Sequence, residues 1–251
     1  MKKQLLLLVM MLLPMVTNAD TVVIDGIYYN LISKIKEAEV TKNPSRNKYT
    51  GDIEIPASVT HNGIEYSVTS ISNYAFQSCN KLTSIILPQS VTNIGEDAFS
   101  DCFGLSSIAI PNSVVTIGAN AFYGCRRLTS ITIPNNITSI GKYAFQGCSS
   151  LETIIVESGN NYYDSRDDCN AIIESSTNRL ICGCMNTIIP NSVKTIGILA
   201  FSGCTGLTSI SIPSSVASIE DNAFEYCSGL KLLTISNGLN SIGSAAFREC
   251  I

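Results

Sequence analysis

A recurring phenylalanine gives this chain a fixed period. Each recurrence lies in an Ala-Phe pair that is followed, three residues after the Phe, by a Cys. The phenylalanines that keep the step of 23 residues are Phe76, Phe99, Phe122 and Phe145 and, after one interruption, Phe201, Phe224 and Phe247. A period of this length predicts a solenoid, in which each supersecondary unit contacts mainly its neighbours. It also predicts one elongated body across the 251 residues rather than two separate domains.

The first half of each unit has the pattern of a strand. In the unit that begins at Leu82, the apolar residues Leu82, Ile85 and Leu87 are expected to face the core. Ser84 and Ile86 lie between them and are therefore expected on the opposite side of the sheet. Eight strand positions of this kind occur, and they end in IEI, IIL, IAI, ITI, IIV, TII, ISI and LTI.

The second half of each unit turns the chain back. Pro88 has no amide hydrogen and a fixed φ, so it ends the strand. Gly95 is an acceptable helix N-cap and acidic residues follow it, which predicts a short helix or turn that carries the Phe on the far side. Ser72 and Glu220 stand where other units have this Gly, so a left-handed backbone is not required there. Phe99 and its equivalents Phe122 and Phe145 are expected to form a continuous buried column away from the sheet.

The first 19 residues have the pattern of a secretory signal peptide. Lys2 and Lys3 give a positive start, Leu5 to Leu13 is a short apolar run, and small residues close the segment at Ala19. We expect cleavage after Ala19 and export of the mature chain. No later stretch approaches the roughly 20 apolar residues that a transmembrane helix needs.

Residues 20–67 depart from the repeat and are expected to form an N-terminal β cap over the apolar end of the solenoid. Asp25-Gly26 and Asn62-Gly63 each lie between β-prone runs, which is a strong hairpin signal. The cap is expected to merge into the first repeat, because residues 53–56 match residues 85–88 and the second hairpin follows as an insertion. Repeat units are then expected over residues 68–251.

The charge of the chain gives no sign of a nucleic-acid partner. Lys and Arg number 16 against 20 Asp and Glu, so the formal net charge is −4. Charged residues make up only 14% of the chain and hydrophobic residues 45%, which predicts a folded protein with a substantial core. No basic patch is available for nucleic acid or anionic lipid.

Two runs carry a resemblance to a known family. They are Cys79-x-x-Leu82-x-x-Ile85-x-Leu87 and Ile94-Gly95-x-x-Ala98-Phe99-x-x-Cys102. From about residue 50 onward they resemble the Treponema-type leucine-rich repeats of BspA-like surface proteins. The resemblance implies an α/β solenoid, a curved leucine-rich repeat stack with a parallel concave β-sheet, short helices or turns on the convex side and an N-terminal β-hairpin cap. It also implies an exported bacterial protein of an adhesin-like group, located at the cell surface or secreted, whose members bind host matrix proteins or other cells.

We therefore expect a non-enzymatic binding protein that recognises an extracellular protein or glycan through the repeat surface. The outward strand positions would form a neutral, hydroxyl-rich floor on the expected concave face, which Leu232 and Thr234 continue. The candidate ligand-binding residues are Ser84, Ile86, Ser107, Ala109, Ser130, Thr132, Thr153, Ile155, Ser209 and Ser211. The alternative is that Ser and Thr merely suit exposed strand positions.

The end of the chain favours a second hypothesis. The sequence stops at Cys250-Ile251, where a further unit would begin, and we expect a continuation beyond it. The protein would then be a structural spacer that presents a missing C-terminal domain.

The interruption of the period predicts an irregular repeat. Phe145 and Phe201 are 56 residues apart, ten more than two regular steps. The excess falls within residues 151–186, where residues 170–173 and 179–182 are expected to pair as an inserted β hairpin. Insertions of this kind often change a binding surface, although an irregular repeat without a ligand is the other interpretation.

The ten cysteines fall into two groups. Seven occupy one position of the repeat, where stacking would hold the side chains parallel, so we expect buried free thiols that act as small apolar fillers. Cys169 and Cys182 break the pattern and are a possible disulfide across the insert. A zinc site at Cys182-Gly-Cys184 is a weaker interpretation, because the usual spacing and a second pair are missing.

Other candidate sites are weak. The segment from Asp164 to Asn170 holds three carboxylates but does not match a calcium loop, which favours a solvated turn. His61 is the only histidine and lies in a predicted hairpin. We expect no catalytic residue, no metal and no cofactor.

Overall fold

Strands and tight turns build the described part of the chain. The computed structural model describes residues 20–44 and 48–250, so the predicted signal peptide at residues 1–19 lies outside the described residues. Within those two ranges there is no α-helix, and the one helical segment is the three-residue 3-10 turn Arg166–Asp168. No described helix is therefore long and apolar enough to cross a membrane.

The N-terminal cap joins directly to the repeats. Its strands are β1 (Asp20–Ile24), β2 (Ile27–Ile32), β3 (Glu37–Val40), β4 (Thr50–Glu54), β5 (Ser58–His61) and β6 (Ile64–Ile71). Asp25-Gly26 and Asn62-Gly63 close the β1–β2 and β5–β6 hairpins with positive φ at all four residues, as type I′ turns require. Both predicted hairpins are confirmed. Because β6 pairs with β3 and extends past residue 67, the cap and the first repeat share a strand.

Each regular repeat adds one long strand and one short strand. The next strands are β7 (Lys81–Ile86), β8 (Asn93–Ile94), β9 (Ser107–Ala109), β10 (Thr116–Ile117), β11 (Ser130–Ile133), β12 (Ser139–Ile140) and β13 (Thr153–Val156). Parallel pairs β4–β7–β9 and β11–β13 begin what we call the long-strand ladder. Parallel pairs β6–β8–β10–β12 begin the short-strand ladder, which lies on another side of the stack.

The long strands have the predicted alternation. Leu82, Ile85 and Leu87 are buried, whereas Ser84 is half-buried and Ile86 is exposed. The apolar set of every repeat thus packs on the inside, and stacking the repeats makes one continuous core.

The segment that carries the Phe is a turn. Asp97 and Asp101 have φ of 52° and 57°, which an α-helix does not allow, so the expected helix with Gly95 as its N-cap is wrong and the turn is confirmed. We call Gly95–Cys102 and its equivalents the Phe turns. Successive Phe turns bond to each other, since the amide of Phe99 donates to the carbonyl of Ala121 at 2.8 Å. These bonds tie the repeats together on the side of the stack that has neither ladder.

Close stacking explains the glycine that opens most of the Phe turns. A Cβ on Gly118 would lie 2.5 Å from the carbonyl carbon of Gly95 in the preceding unit, and a Cβ on Gly141 would lie 2.3 Å from the amide nitrogen of Ala119. None of these three glycines has a positive φ. The close approach of the preceding unit therefore favours Gly at these positions, and a left-handed backbone is not required, as the sequence predicted.

The predicted phenylalanine column is confirmed. The rings from Phe76 through Phe99 and Phe122 to Phe145 are nearly parallel, with centroids 5.2, 5.3 and 5.4 Å apart. Tyr49 of the cap covers the first ring at 4.8 Å. Each ring inside the column is packed on both faces by its neighbours, which places the largest side chains of the core at every repeat interface.

The insert forms the predicted hairpin and extends it by one strand. The remaining strands are β14 (Tyr163–Asp164), β15 (Ala171–Glu174), β16 (Arg179–Gly183), β17 (Thr195–Ile196), β18 (Ser209–Ile212), β19 (Ser218–Ile219), β20 (Leu232–Ile235) and β21 (Ser241–Ile242). β14, β15 and β16 are antiparallel, and β16 then pairs in parallel with β17. The short-strand ladder resumes through β19 and β21, and the long-strand ladder resumes as β18–β20.

The hairpin divides the core. Phe201, Phe224 and Phe247 form a second column with centroids 4.7 and 5.1 Å apart, but within the described residues no ring contact joins Phe201 to Phe145. Gly183 of β16 lies at this junction, and its amide donates to the carbonyl of Ala200 at 2.8 Å. The buried residues accordingly form two clusters, one on each side of the insert.

The sixth predicted strand, which ends in Thr187-Ile188-Ile189, does not join a ladder. The hydroxyl of Thr187 points inward, donates to the carbonyl of Asn170 at 2.6 Å and accepts from the amide of Cys184 at 2.8 Å. The amide of Ile188 donates to the carbonyl of Cys169 at 3.1 Å. The insert thus takes the hydrogen bonds that a ladder would otherwise make.

The possible Cys169–Cys182 disulfide is not formed in the structure, where both thiols are free. Cys182 pairs across the hairpin with Ile172, and both pack in the first core cluster. Cys169 packs with Ala171 in the second cluster. The two side chains thus pack in different core clusters, one on each side of the insert.

Candidate binding surface

The predicted floor residues lie in register along the outer side of the long-strand ladder. Ser84 pairs with Ser107, Ser130 with Thr153, and Ser209 with Leu232. In the second row, the pairs are Ile86 with Ala109, Thr132 with Ile155, and Ser211 with Thr234. Ser84 and Thr153 are half-buried and the other ten are exposed. We call this surface the long-strand face, and whether it binds a ligand stays a prediction.

The long-strand face is acidic at its N-terminal end. Asp52 and Glu54 of β4 continue the two rows beside Ser84 and Ile86. One carboxylate oxygen of Asp52 accepts from the hydroxyls of Ser84 at 2.6 Å and of Thr83 at 2.7 Å. These bonds favour the ionised form and lower the pKa of Asp52. The floor is therefore neutral only from β7 onward.

Apolar side chains interrupt the hydroxyl row. Ile86 is 59% exposed, Ile155 48%, Ile188 75% and Leu232 61%. Ile188 belongs to the irregular repeat, and with Met185, Ser209 and Leu232 it lines a groove of about 500 Å³ on this face. The insert therefore changes the face from a flat hydroxyl row to a groove whose lining mixes polar and apolar side chains.

The short strands form a second accessible polar face, which the sequence reasoning missed. Its outward residues are Ser70, Asn93, Thr116 and Ser139 before the insert and Thr195, Ser218 and Ser241 after it. The signal was present in the sequence as a Ser, Thr or Asn just before the repeated Ile. Neighbouring repeats bond along this row, for example from the Thr116 hydroxyl to the Asn93 side-chain oxygen at 2.8 Å.

Near the cap, the second face ends in a polar groove of about 630 Å³. Glu37 accepts from the hydroxyl of Thr69 at 2.9 Å, and Glu39 accepts from that of Ser72 at 3.1 Å. Both carboxylates thus have partners within the protein, so the groove has no unpaired acidic group aimed at a ligand.

The acidic segment of the insert is an ion-paired turn. The guanidinium of Arg166 contacts the carboxylate of Asp164 at 2.5 Å, and the hydroxyl of Ser175 donates to the same carboxylate at 2.7 Å. Burial opposes ionisation of Asp164, but these hydrogen bonds outweigh it and lower the pKa of the carboxyl group. Residues 20–44 and 48–250 contain no group of His, Cys, Asp and Glu side chains placed to hold a metal ion.

The repeated cysteines are free thiols, as predicted, and they are also hydrogen-bond donors. The thiol of Cys125 donates to the carbonyl of Phe99 in the preceding Phe turn at 3.2 Å, and that of Cys148 donates to the carbonyl of Phe122 at the same distance. Burial raises the pKa of Cys148 to about 12, so the thiol stays protonated at neutral pH. Because the thiolate is the reactive form, these cysteines are not candidates for nucleophilic or redox chemistry.

Comparison with known sequences decides the family. Residues 54–169 and 172–251 match, in six copies, the profile described as the BspA type leucine rich repeat region. The chain belongs to the BspA-type leucine-rich repeat family. Comparison with curated proteins finds no match.

Solved structures share the fold of this BspA-type protein. A leucine rich cell surface protein from Faecalibacterium prausnitzii is 24% identical with a TM-score of 0.58, over 92% of this chain and 80% of that one. The T. pallidum leucine rich repeat protein is 25% identical with a TM-score of 0.52, over 89% and 86%. The pneumococcal vaccine antigen PcpA is 18% identical with a TM-score of 0.54, over 93% and 68%. The solenoid predicted from the period and the leucine-rich repeat fold implied by the resemblance are thereby confirmed.

Proposed function

We propose that this BspA-type protein is an exported, non-enzymatic binding protein that recognises an extracellular protein or glycan through the long-strand face. One observation carries the proposal, namely the in-register row of small hydroxyl and apolar side chains that remains accessible along this face. Hydroxyls can pair with polar groups of a protein or glycan, and exposed Ile and Leu add apolar contact. The predicted signal peptide and the similarity to the F. prausnitzii cell surface protein support an exported location.

The test compares two triple variants of equal charge. Ser107→Lys, Ser130→Lys and Ser209→Lys place three ammonium groups on the long-strand face. Asn93→Lys, Ser139→Lys and Ser241→Lys place three on the short-strand face at exposed positions. We expect the first variant to lose at least about tenfold in affinity for a ligand found on an array of matrix proteins and glycans, since it would desolvate three charges at the interface. We expect the second variant to bind as the parent does.

Two results would contradict the proposal. Equal binding by the parent and the long-strand variant would mean that this face is not used. Failure of the parent to bind anything on the array would favour the structural spacer, whose faces need no ligand. Circular dichroism of each variant checks that the lysines leave the fold intact.

A further inference from the structure

A cavity lies where the insert divides the two phenylalanine columns. It has a volume of about 180 Å³, and its wall includes Phe145, Ile181, Cys182 and Ala200 together with the exposed residues Tyr143 and Ile198. Phe145 stacks on Phe122 through one ring face, and in the described part of the chain no ring stacks on its other face. The cavity thus begins where the next ring of the column would lie.

The insert causes this gap. In a regular repeat, the Phe of the next unit fills the space beyond each ring, as Phe122 does beyond Phe99. At the junction, Gly183 lies against Phe201 so closely that a Cβ would come within 2.1 Å of the ring. The backbone of β16 therefore covers Phe201, whereas among the described residues no ring stacks on the second face of Phe145.

The size and lining of the cavity indicate the class of ligand. A cavity of about 150 Å³ lined by Leu, Ile and Phe binds benzene, so a volume of about 180 Å³ admits one small ring system. Protein interiors are packed without gaps of this size, and an empty one forfeits dispersion contacts that an occupant would restore. A planar aromatic occupant would also gain the stacking that Phe145 lacks.

The charged groups of the lining favour a neutral ligand. Glu174 and Arg179 both contribute to it, and the guanidinium of Arg179 is already paired with Glu220 at 2.5 Å. Lys142 is the other charged side chain of the lining. Since both signs are present and the arginine is neutralised, no single charge is selected.

We propose that this cavity is a binding site for a small neutral aromatic ring, which stacks on Phe145 and continues the phenylalanine column. The site is separate from the long-strand face, so the proposal does not depend on the function proposed above.

Indole is the probe for this site. The protein contains no Trp, so the fluorescence of indole can be excited selectively during a titration of the full chain. We expect saturable binding of one indole per chain. Cys182→Leu fills the cavity and should weaken binding at least tenfold. The matched control is Cys250→Leu, whose half-buried thiol lies outside the cavity and whose replacement should leave indole binding unchanged.

Two further comparisons define the chemistry. Toluene should bind between about 2-fold and 13-fold more tightly than methylcyclohexane, because ring stacking adds roughly 0.5 to 1.5 kcal/mol beyond buried area. Equal affinity of the two would overturn the assignment of an aromatic ligand. N-acetyltryptophanamide represents an aromatic side chain on a bound polypeptide. Tighter binding of this amide than of indole would assign the ring to a polypeptide, and the reverse order would assign it to a free compound.

A second measurement, of nuclear Overhauser contacts, uses only the parent protein and therefore tests the proposal even if the Cys182→Leu variant fails to fold. In the parent protein, bound indole should show such contacts with the ring protons of Phe145. Absence of saturable binding, absence of these contacts, or full binding by a folded Cys182→Leu variant would each overturn the proposal.

Discussion

At the scale of the residue, the repeated cysteine shows how one small side chain serves two purposes. It fills the space beside each phenylalanine, and its thiol donates to a backbone carbonyl of the preceding unit, as Cys148 does to Phe122 at 3.2 Å. An Ala would fill less space and would leave that carbonyl with only its turn partner. The sequence indicated the buried thiol, but not the hydrogen bond, because the partner belongs to another repeat.

The buried thiols make stability depend on alkaline pH. Folding raises the pKa of Cys148 from 9.0 to about 12 by burial. The contribution of the protonated thiol is therefore complete below pH 9 and is lost as pH rises toward 12. We expect the destabilisation caused by Cys148→Ala to shrink by about 1 kcal/mol between pH 9 and pH 10, measured by urea unfolding.

Cys250→Ala is the control for this prediction. Its thiol is only half-buried, so the cost of its removal should change less over the same interval. A cost of Cys148→Ala that stays constant from pH 8 to pH 10 would show that the thiol does not have the raised pKa.

At the scale of the element, the Phe turns and the insert show what a periodic sequence can predict. Periodicity assigned the inward and outward residues of the long strands, and Asn62-Gly63 marked its hairpin, because these signals are local. The helix at Phe99 was wrong because each turn needs a left-handed residue that the sequence does not mark. Leu199 and Ala245 hold that conformation with φ of 57° and 52°, although neither residue type favours it.

The outward residues of the candidate surface were also predictable, because they follow from the same local pattern. Alternation along the strands placed Ser107 and Ser130 outward, which the exposure of both confirms. The cavity beside Phe145 was not predictable, because it results from how β16 meets Phe201 across about 20 residues of chain.

The phenylalanine column should be the main source of cohesion between repeats. Phe122 is fully buried between two rings, so Phe122→Ala should cost about 3 to 5 kcal/mol. Phe247 has one ring partner and is only partly buried, so Phe247→Ala should cost less. Denaturant unfolding, followed by amide exchange in residues 80–150 and 195–245, measures both costs. In Phe122→Ala, residues 80–150 should lose protection at a lower denaturant concentration than residues 195–245.

Equally small costs for the two substitutions, each with one coincident transition in both halves, would show that the columns do not hold the repeats together. A conservative Phe122→Leu variant, which keeps most of the buried area but removes the ring, separates stacking from burial.

At the scale of the whole molecule, the stack offers two polar sheet faces and one side of Phe turns, and the insert alters all three at one place. It adds strands to the short-strand ladder, opens a groove on the long-strand face and separates the two phenylalanine columns. Four exposed aliphatic side chains, Ile86, Ile155, Ile188 and Leu232, lie along the long-strand face among its hydroxyl groups. The binding function proposed above uses this face.

The central claim is that the long-strand face is the binding surface. Hydroxyl-radical footprinting of the complex with a ligand captured from the matrix and glycan array tests this claim most directly. Ile86, Ile155, Ile188 and Leu232 are exposed on the long-strand face and should be oxidised several-fold more slowly when the ligand is bound. Val115, beside the short-strand ladder, and Tyr123, on a Phe turn, are also exposed and should be oxidised at unchanged rates. Protection of Val115 and Tyr123 with none at the four aliphatic residues would contradict the assignment of the long-strand face as the binding surface.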